Sequence, residues 1–126
     1  MKTASAKAKG RKLQNQMKQV ILEQFKQLEE DDVQVAIMGQ SGTDIKLSPL
    51  ARKLFPYSVE AKNVEKLNIW SAISQAEYNT KEGTSTLVVF SRNRMPEPYV
   101  ALKLSDFMKL TAGAIHETNN PTTNNS

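Results

Sequence analysis

Apolar residues recur at helical spacing between Gly10 and Leu28, and this stripe constrains the fold more than any other feature of the sequence. Its members are Leu13, Met17, Val20, Ile21, Phe25 and Leu28. Such spacing places one apolar face of an α-helix against a sheet. Gln14 precedes Met17 by three residues, so it lies at the edge of that face. Gln14 therefore either reaches a site on the sheet or is a boundary residue whose amide bonds to backbone or water.

Beyond this helix, the apolar pattern changes to the spacing of β-strands. Alternating or continuous apolar runs predict five strands, over 33–37, 44–47, 57–62, 87–90 and 99–102. The turn-prone segment 39–42 precedes the second strand, and 49–56 is interpreted as irregular chain or a short helical turn.

Two further helices complete the pattern. A stripe that includes Trp70 and Ile73 predicts a helix over 64–79, with Trp70 in the core. A short last helix over 105–110 is expected to dock on the sheet through Phe107 and Leu110. The order αβββαββα predicts an α/β fold with a mixed central β-sheet flanked by helices.

The length of 126 residues suits one domain. We predict a disordered basic arm over 1–8, a folded domain over 9–112 and a disordered Asn/Thr-rich tail over 113–126. The absence of cysteine excludes disulfides and thiolate zinc sites and is compatible with a reducing cytoplasm, that of the host cell for a phage-encoded protein. His116 is the only histidine, which argues against triad chemistry. No apolar run reaches the length of a membrane span, so no membrane association is expected.

Basic residues are concentrated near the amino terminus. The first 12 residues contain five Lys or Arg and no acid, whereas the chain as a whole carries +4. This segment is either a solvated tail or an arm that binds the backbone of nucleic acid. The candidate DNA-binding residues are Lys9, Arg11, Lys12, Arg92 and Arg94.

Two short stretches concentrate the residues that carry chemistry: 42–45, with Asp44, and 57–62, with Glu60 and Lys62. Side chains alternate along a strand, so Glu60 and Lys62 share one face with Ser58. Pairing of the two strands would place Asp44 beside Glu60. Two convergent carboxylates suit Mg²⁺ or Mn²⁺. Alternatively, a Glu-x-Lys pair is what any half-solvated strand carries.

The sequence Gly-Thr-Asp-Ile at 42–45, then Val-Glu-Ala-Lys-Asn at 59–63 and a helix that contains Gln75, resembles the core of PD-(D/E)XK nucleases. It is most similar to small phage-type endonucleases of the Holliday junction resolvase kind, and the similarity covers residues 9–110. This resemblance implies a restriction-endonuclease-like fold.

The resemblance also implies roles for individual residues. It makes Asp44 and Glu60 ligands of Mg²⁺ or Mn²⁺, with the Ala61 carbonyl as a further ligand. Lys62 would contact the attacking water or the scissile phosphate, and Gln75 would lie over the active site. Many members carry a glutamate where this chain has Gln14, so Gln14 is expected to orient a water rather than hold the ion.

The function implied by the resemblance is metal-dependent endonucleolytic cleavage of branched DNA, with a symmetric homodimer making paired cuts. One alternative is a nicking or flap-type nuclease of the same fold. Another is a non-catalytic module that binds DNA through its basic residues, and the neutral Gln14 keeps this alternative open.

Overall fold

The chain's structure, a computed structural model, describes residues 2–37 and 42–118. In order, the elements are α1 (Lys2–Gln24), a 3-10 helix (Glu30–Asp32), β1 (Val33–Val35), β2 (Ile45–Leu47), α2 (Pro49–Leu54), β3 (Tyr57–Asn63), α3 (Ile69–Asn79), β4 (Ser85–Ser91), β5 (Tyr99–Leu102) and α4 (Leu104–Thr118). The predicted order of helices and strands is confirmed, and the short helical turn allowed over 49–56 is α2.

The strands form two sheets with helices packed against them, which gives an α/β fold. β1 and β2 pair antiparallel, with Val33 opposite Leu47. β3 and β4 pair parallel, and β5 joins β4 antiparallel, so β4 is the central strand of a mixed sheet. The expected pairing of β2 with β3 is wrong, because the backbone hydrogen bonds of β2 are made with β1. Only Asp44, which precedes β2, donates its N–H across to the Val59 carbonyl of β3, at 3.0 Å.

Side-chain alternation along β3 and β4 divides the core in two. Val59, Ala61, Leu87 and Val89 pack with the apolar stripe of α1, whereas Val88 packs with α3. The predicted stripe of α1 is confirmed by Leu13 and Ile21, which are fully buried. Burial of one such side chain stabilises the fold by roughly 1.5–3 kcal/mol. The same alternation directs Glu60 and Lys62 of β3 toward α3.

Two helix starts follow from side-chain caps. Ser48 accepts a hydrogen bond from the Ala51 N–H at 3.1 Å, and Pro49 begins α2, where a missing N–H costs nothing. Asn68 accepts from the Ser71 N–H at 3.1 Å and begins α3. The predicted helix over 64–79 is therefore shorter at its start, since the cap ends the preceding loop.

The two ends of the described chain differ from the sequence-based expectation. α1 begins at Lys2, where a disordered arm was predicted over 1–8; alanine and lysine both favour helix. α4 continues through Gly113 to Thr118, where a disordered tail was predicted. Residues 119–126, and 39–41 of the predicted turn, lie outside the described residues. None of the described helices has the length and apolar character needed to cross a membrane.

Three apolar residues expected in the core are exposed. Trp70 of α3 faces solvent, because α3 contacts the sheet through its small residues Ala72 and Ala76. Phe107 and Leu110 are also exposed, since α4 makes no extensive contact with any other described element. The predictions that Trp70 is a core residue and that the last helix docks on the sheet are therefore wrong.

Candidate active site

Asp44 is fixed at the free edge of β3 by backbone hydrogen bonds. Its own N–H donates to the Val59 carbonyl at 3.0 Å, and its carbonyl accepts from the Ala36 N–H at 2.9 Å. The Asp44 carboxylate oxygen Oδ2 in turn accepts from the Ala61 N–H at 2.7 Å. The carboxylate of Asp44 is thus held beside β3, as expected from the sequence, although by single contacts rather than by a paired strand.

Glu60 lies in the middle of β3 with 4% of its surface exposed. Its Oε2 is 3.6 Å from the Lys62 ammonium, while its buried Oε1 has no hydrogen-bond partner in the described chain. The Asn79 amide of α3 also lies close to this carboxyl, but it makes no hydrogen bond to Oε1 of acceptable geometry. A buried carboxylate oxygen without a hydrogen-bond donor is energetically unfavourable. A bound cation or a further donor would remove this cost.

Lys62 joins the carboxylates to α3. Its ammonium donates a hydrogen bond to Oε1 of Gln75 at 2.9 Å while it pairs with Glu60. Gln75 therefore lies at the site, where the resemblance placed it. Since Lys62 and Gln75 both keep some exposure, the ammonium stands between the buried carboxylate and solvent.

Gln14 reaches the site from α1. Its side chain lies near the Asp44 carboxyl, and the interaction of its amide with that group favours the ionised form and lowers the pKa of Asp44. Of the two interpretations of Gln14, the structure thus gives contact with the site rather than a boundary amide.

Burial raises the pKa of both carboxyls above their usual values. For Asp44, desolvation is the main cause, and the Ala61 N–H, the Lys62 ammonium and then Gln14 oppose the rise. For Glu60, desolvation again comes first and the nearby charge of Asp44 adds to it, against Lys62 and Asn79. The two carboxylates are therefore close enough to repel each other, and one lysine compensates them only in part.

This donor set fits a hard divalent cation. Two carboxylates converge, one oxygen is orphaned, and both backbone groups of a strand residue point to the same edge, so the Ala61 carbonyl faces the edge that holds Asp44. Within residues 2–37 and 42–118, no group of three or more His, Cys, Asp or Glu side chains could hold a metal ion. Two carboxylates with a carbonyl, waters and substrate phosphate suit Mg²⁺ or Mn²⁺ better than Zn²⁺ or an all-protein Ca²⁺ cage.

A basic groove of about 550 Å³ lies between α1 and the β4–β5 loop. It brings together four of the five predicted DNA-binding residues, namely Lys9, Lys12, Arg92 and Arg94. Arg11 is exposed on α1 and does not line this groove. Amide side chains, including Asn63 at the end of β3, line part of the rest, together with one acid, Glu97, and several apolar residues. Asn63 follows Lys62 in β3, so its side chain points to the opposite face of the sheet, toward α1, and neither Asp44 nor Glu60 lines this groove.

The sequence-based reasoning missed three residues around the site. Asn63 donates from Nδ2 to the Lys9 carbonyl at 3.0 Å, and its Oδ1 is buried without a partner in the described chain. Glu65 lies 3.7 Å from the Lys9 ammonium and accepts from the Asn93 N–H at 2.6 Å. Asn79 could have been found from the sequence, because it follows Gln75 by four residues and so shares its helix face. Asn63 and Glu65 carry no such signal, since their partners are distant in sequence.

Comparison of the chain with protein-family models, with curated proteins and with solved structures found no match. The chemical interpretation of the site therefore depends on its own geometry.

Proposed function

We propose that this chain is a metal-dependent DNA endonuclease that hydrolyses phosphodiester bonds, with a restriction-endonuclease-like fold of the PD-(D/E)XK type. One observation carries the proposal: the buried, mutually repelling carboxylates of Asp44 and Glu60 converge beside Lys62. A structural ion pair would need only one acid, whereas metal-assisted hydrolysis needs two acids and a cation in this arrangement.

The ligands of the proposed Mg²⁺ or Mn²⁺ ion are the carboxylates of Asp44 and Glu60 and the Ala61 carbonyl. When bound, the ion supplies positive charge that polarises a phosphoryl oxygen and lowers the pKa of water at the site. The orphaned Oε1 of Glu60 supports this assignment, because a cation would satisfy it.

Lys62 orients the attacking water or stabilises the charge that develops on the phosphate. Gln75 supports this role: its Oε1 accepts from the Lys62 ammonium at 2.9 Å and fixes the direction of that long side chain. The Gln14 amide lies near the Asp44 carboxyl and has no charge with which to bind the ion strongly. Its expected contribution is therefore to position the ligand and a water.

The proposed substrate is DNA, and the proposal that it is branched rests on the resemblance to junction resolvases alone. The basic groove supports a polyanionic substrate, since Lys9, Lys12, Arg92 and Arg94 approach it from two elements. Backbone phosphates bind such cations irrespective of sequence. A nicking or flap-type nuclease would use the same groove and the same carboxylates.

A non-catalytic DNA-binding module is the second candidate, and one observation favours it. Many PD-(D/E)XK nucleases carry a glutamate where this chain has Gln14, which lies near Asp44 and adds no negative charge to the site. A site with a weakened affinity for metal would still leave the basic groove able to bind DNA.

One gel separates these functions. A four-way junction, a nicked duplex and a linear duplex are incubated in parallel with the protein and Mg²⁺. We expect cleavage of the junction by the wild type, and loss of cleavage with retained binding for Asp44→Asn and Glu60→Gln, since each removes one ligand charge without changing shape. Asp31→Asn, an exposed acid outside the site, is the control and should cut normally.

Each other outcome has a definite meaning. Preferential cutting of the nicked duplex would favour the nicking nuclease, and binding of all three substrates without cleavage would favour the non-catalytic module. Wild-type turnover by Asp44→Asn would exclude the proposed metal site.

A further inference from the structure

Two aromatic rings lie beside the candidate active site, on the same face of the sheet. The register of the strands places Lys62 of β3 opposite Phe90 of β4, and Phe90 opposite Tyr99 of β5. Residues opposite each other on paired strands point to the same face, so these three side chains form one row. Because neighbouring strands are roughly 4.8 Å apart, the row leads directly from Lys62 to the two rings.

The two rings are close to each other and accessible from solvent. Their centroids are 6.3 Å apart and their planes are inclined by 31°. Phe90 is half-buried, whereas Tyr99 keeps 61% of its surface exposed. We call these two residues the aromatic platform. A surface of this kind is what a second planar ring stacks on.

The aromatic platform forms part of an open pocket of about 660 Å³. Val64 and Leu67, in the loop between β3 and α3, and Met95, in the β4–β5 loop, complete its apolar lining. Its volume is that of a small-molecule site, which is roughly 300–1,000 Å³, yet the exposed Tyr99 shows that one side is open. The pocket therefore suits a flat ligand that is contacted on one face rather than enclosed.

The charges at this pocket favour an anionic ligand. Lys66 and Arg92 line it, and neither forms an ion pair with another described residue. One acid, Glu65, also lines it, but its carboxylate lies 3.7 Å from the Lys9 ammonium, which compensates the charge. An aromatic surface beside available cations matches a ligand that joins a planar ring to an anion, and a nucleotide is such a ligand.

The pocket is continuous with the basic groove. Ser91, Arg92 and Met95 line both. The groove lies on the α1 side of the sheet, whereas the aromatic platform lies on the face that carries Lys62. A DNA strand whose phosphates occupy the groove can therefore pass Arg92 and reach the platform beside Lys62.

We propose that the aromatic platform binds an unpaired nucleobase of the DNA substrate, next to the bond that is cut, while Lys66 and Arg92 contact the adjoining phosphates. Bases inside a duplex are covered on both faces by their neighbours, so only an unpaired base offers a face for stacking. The inference rests on the proposed nuclease function and deepens it. It names the substrate class as DNA with single-stranded nucleotides beside the cleaved bond.

The test of binding is made in EDTA, where metal-dependent cleavage does not take place. Two labelled probes are compared: a splayed duplex, whose two unpaired ends cover both strand polarities, and a blunt duplex with the same paired sequence. Tyr99→Ala should weaken binding of the splayed duplex by at least about fivefold, the smallest factor expected for one stacked base, and should leave the blunt duplex unchanged. Tyr99→Phe keeps the ring and should bind both probes as the wild type does.

Tyr78→Ala is the matched control, because Tyr78 is an exposed tyrosine of α3, at 89%, that lines neither the pocket nor the basic groove. It should bind both probes normally, and circular dichroism should show that all variants are folded. A 2-aminopurine as the first unpaired base reports stacking directly, since its emission should fall when the wild type binds. If Tyr99→Ala fails to fold, this emission in the wild type still decides the question.

Cleavage of the same probes with Mg²⁺ is assayed separately, so the two proposals fail in different ways. Binding of the splayed duplex that depends on Tyr99, without cleavage by the wild type, would overturn the nuclease function and support the platform as a site for bases. Three results would overturn the platform even if the wild type cuts DNA: equal binding of the two probes, an unchanged 2-aminopurine emission, or a Tyr99→Ala variant that binds the splayed duplex as well as Tyr78→Ala does.

Discussion

At the scale of single residues, the Glu60 carboxylate is an energetically unfavourable group in the absence of metal. Burial and the neighbouring charge of Asp44 raise the pKa of Glu60, and one of its oxygens has no donor in the described chain. Such a buried, unsatisfied group destabilises the metal-free protein at neutral pH by roughly 1–3 kcal/mol. A divalent cation would reverse this cost on binding.

We therefore expect Glu60→Gln to raise the free energy of unfolding of the metal-free protein at neutral pH by about 1 kcal/mol. The expected gain in stability is at the low end of the range of roughly 1–3 kcal/mol, because the change also removes the ion pair with Lys62. Added Mg²⁺ should stabilise the wild type and have little effect on the variant. Urea unfolding with EDTA and then with Mg²⁺ measures both effects.

Glu23→Gln changes an exposed acid of α1 and should leave both curves unchanged. Destabilisation by Glu60→Gln together with an undiminished Mg²⁺ effect would mean that Glu60 is a structural acid and not a metal ligand.

Gln14 gives a second prediction at this scale. Because its amide lies near the Asp44 carboxyl and interacts with it, Gln14→Ala should slow cleavage moderately by leaving the carboxylate less well positioned. Gln14→Glu should be tolerated and should tighten the binding of Mg²⁺, since it adds a charge to the site. Cleavage rates against Mg²⁺ concentration distinguish the two variants, with Gln24→Ala, at an exposed position of the same helix outside the basic groove, as control. If the curves of cleavage rate against Mg²⁺ concentration were identical to that of the wild type for both variants, Gln14 would have no part in the site.

At the scale of elements, Glu65 links the two sides of the basic groove. It pairs with Lys9 of α1 and accepts a hydrogen bond from the Asn93 N–H in the β4–β5 loop. Simple electrostatics predicts that removal of an acid strengthens binding to DNA. If Glu65 positions the loop that carries Arg92 and Arg94, its removal should weaken binding instead.

We expect Glu65→Ala to weaken DNA binding and to make the slope of log K against log salt shallower by about one phosphate contact. Glu97→Ala is the control, because Glu97 is an acid that lines the groove, and its loss should strengthen binding slightly or leave it unchanged. Titrations at several salt concentrations give both numbers. Stronger binding by both variants would mean that Glu65 acts only through its charge.

At the scale of the whole molecule, the two raised pKa values predict how stability depends on pH. The ordinary values are 3.8 for Asp44 and 4.5 for Glu60, and both are higher in the folded protein. Above its ordinary pKa each group binds more protons when folded than when unfolded, so its contribution to stability falls as pH rises through the folded value.

The metal-free wild type should therefore lose this contribution as the pH rises from about 4 toward neutrality, while Asp44→Asn/Glu60→Gln should show a smaller loss. Mg²⁺ should reduce the loss in the wild type only. Thermal unfolding at a series of pH values, with and without Mg²⁺, measures the difference between the two proteins and so cancels the other titrating groups. An equal pH dependence would contradict the predicted direction of the shifts.

The sequence by itself determined what depends on local periodicity. The spacing of apolar residues predicted the apolar stripe of α1 and the order of helices and strands along the chain. Alternation along β3 predicted that Glu60 and Lys62 share one face. Each of these depends only on the geometry of a helix or a strand. The residue pattern had also singled out Asp44, and the resemblance added Gln75; both lie at the site.

Only the tertiary structure decided which of these faces are covered. Glu60 is buried and Trp70 exposed, against the usual preference of each residue type, because burial depends on elements that are distant in sequence. α3 meets the sheet through Ala72 and Ala76 and so leaves Trp70 outside, and α4 makes no extensive contact with the sheet. The Asp44 contact with the Ala61 N–H likewise joins two segments that no local pattern relates. Periodicity gives a side chain its direction, and packing alone decides what lies there.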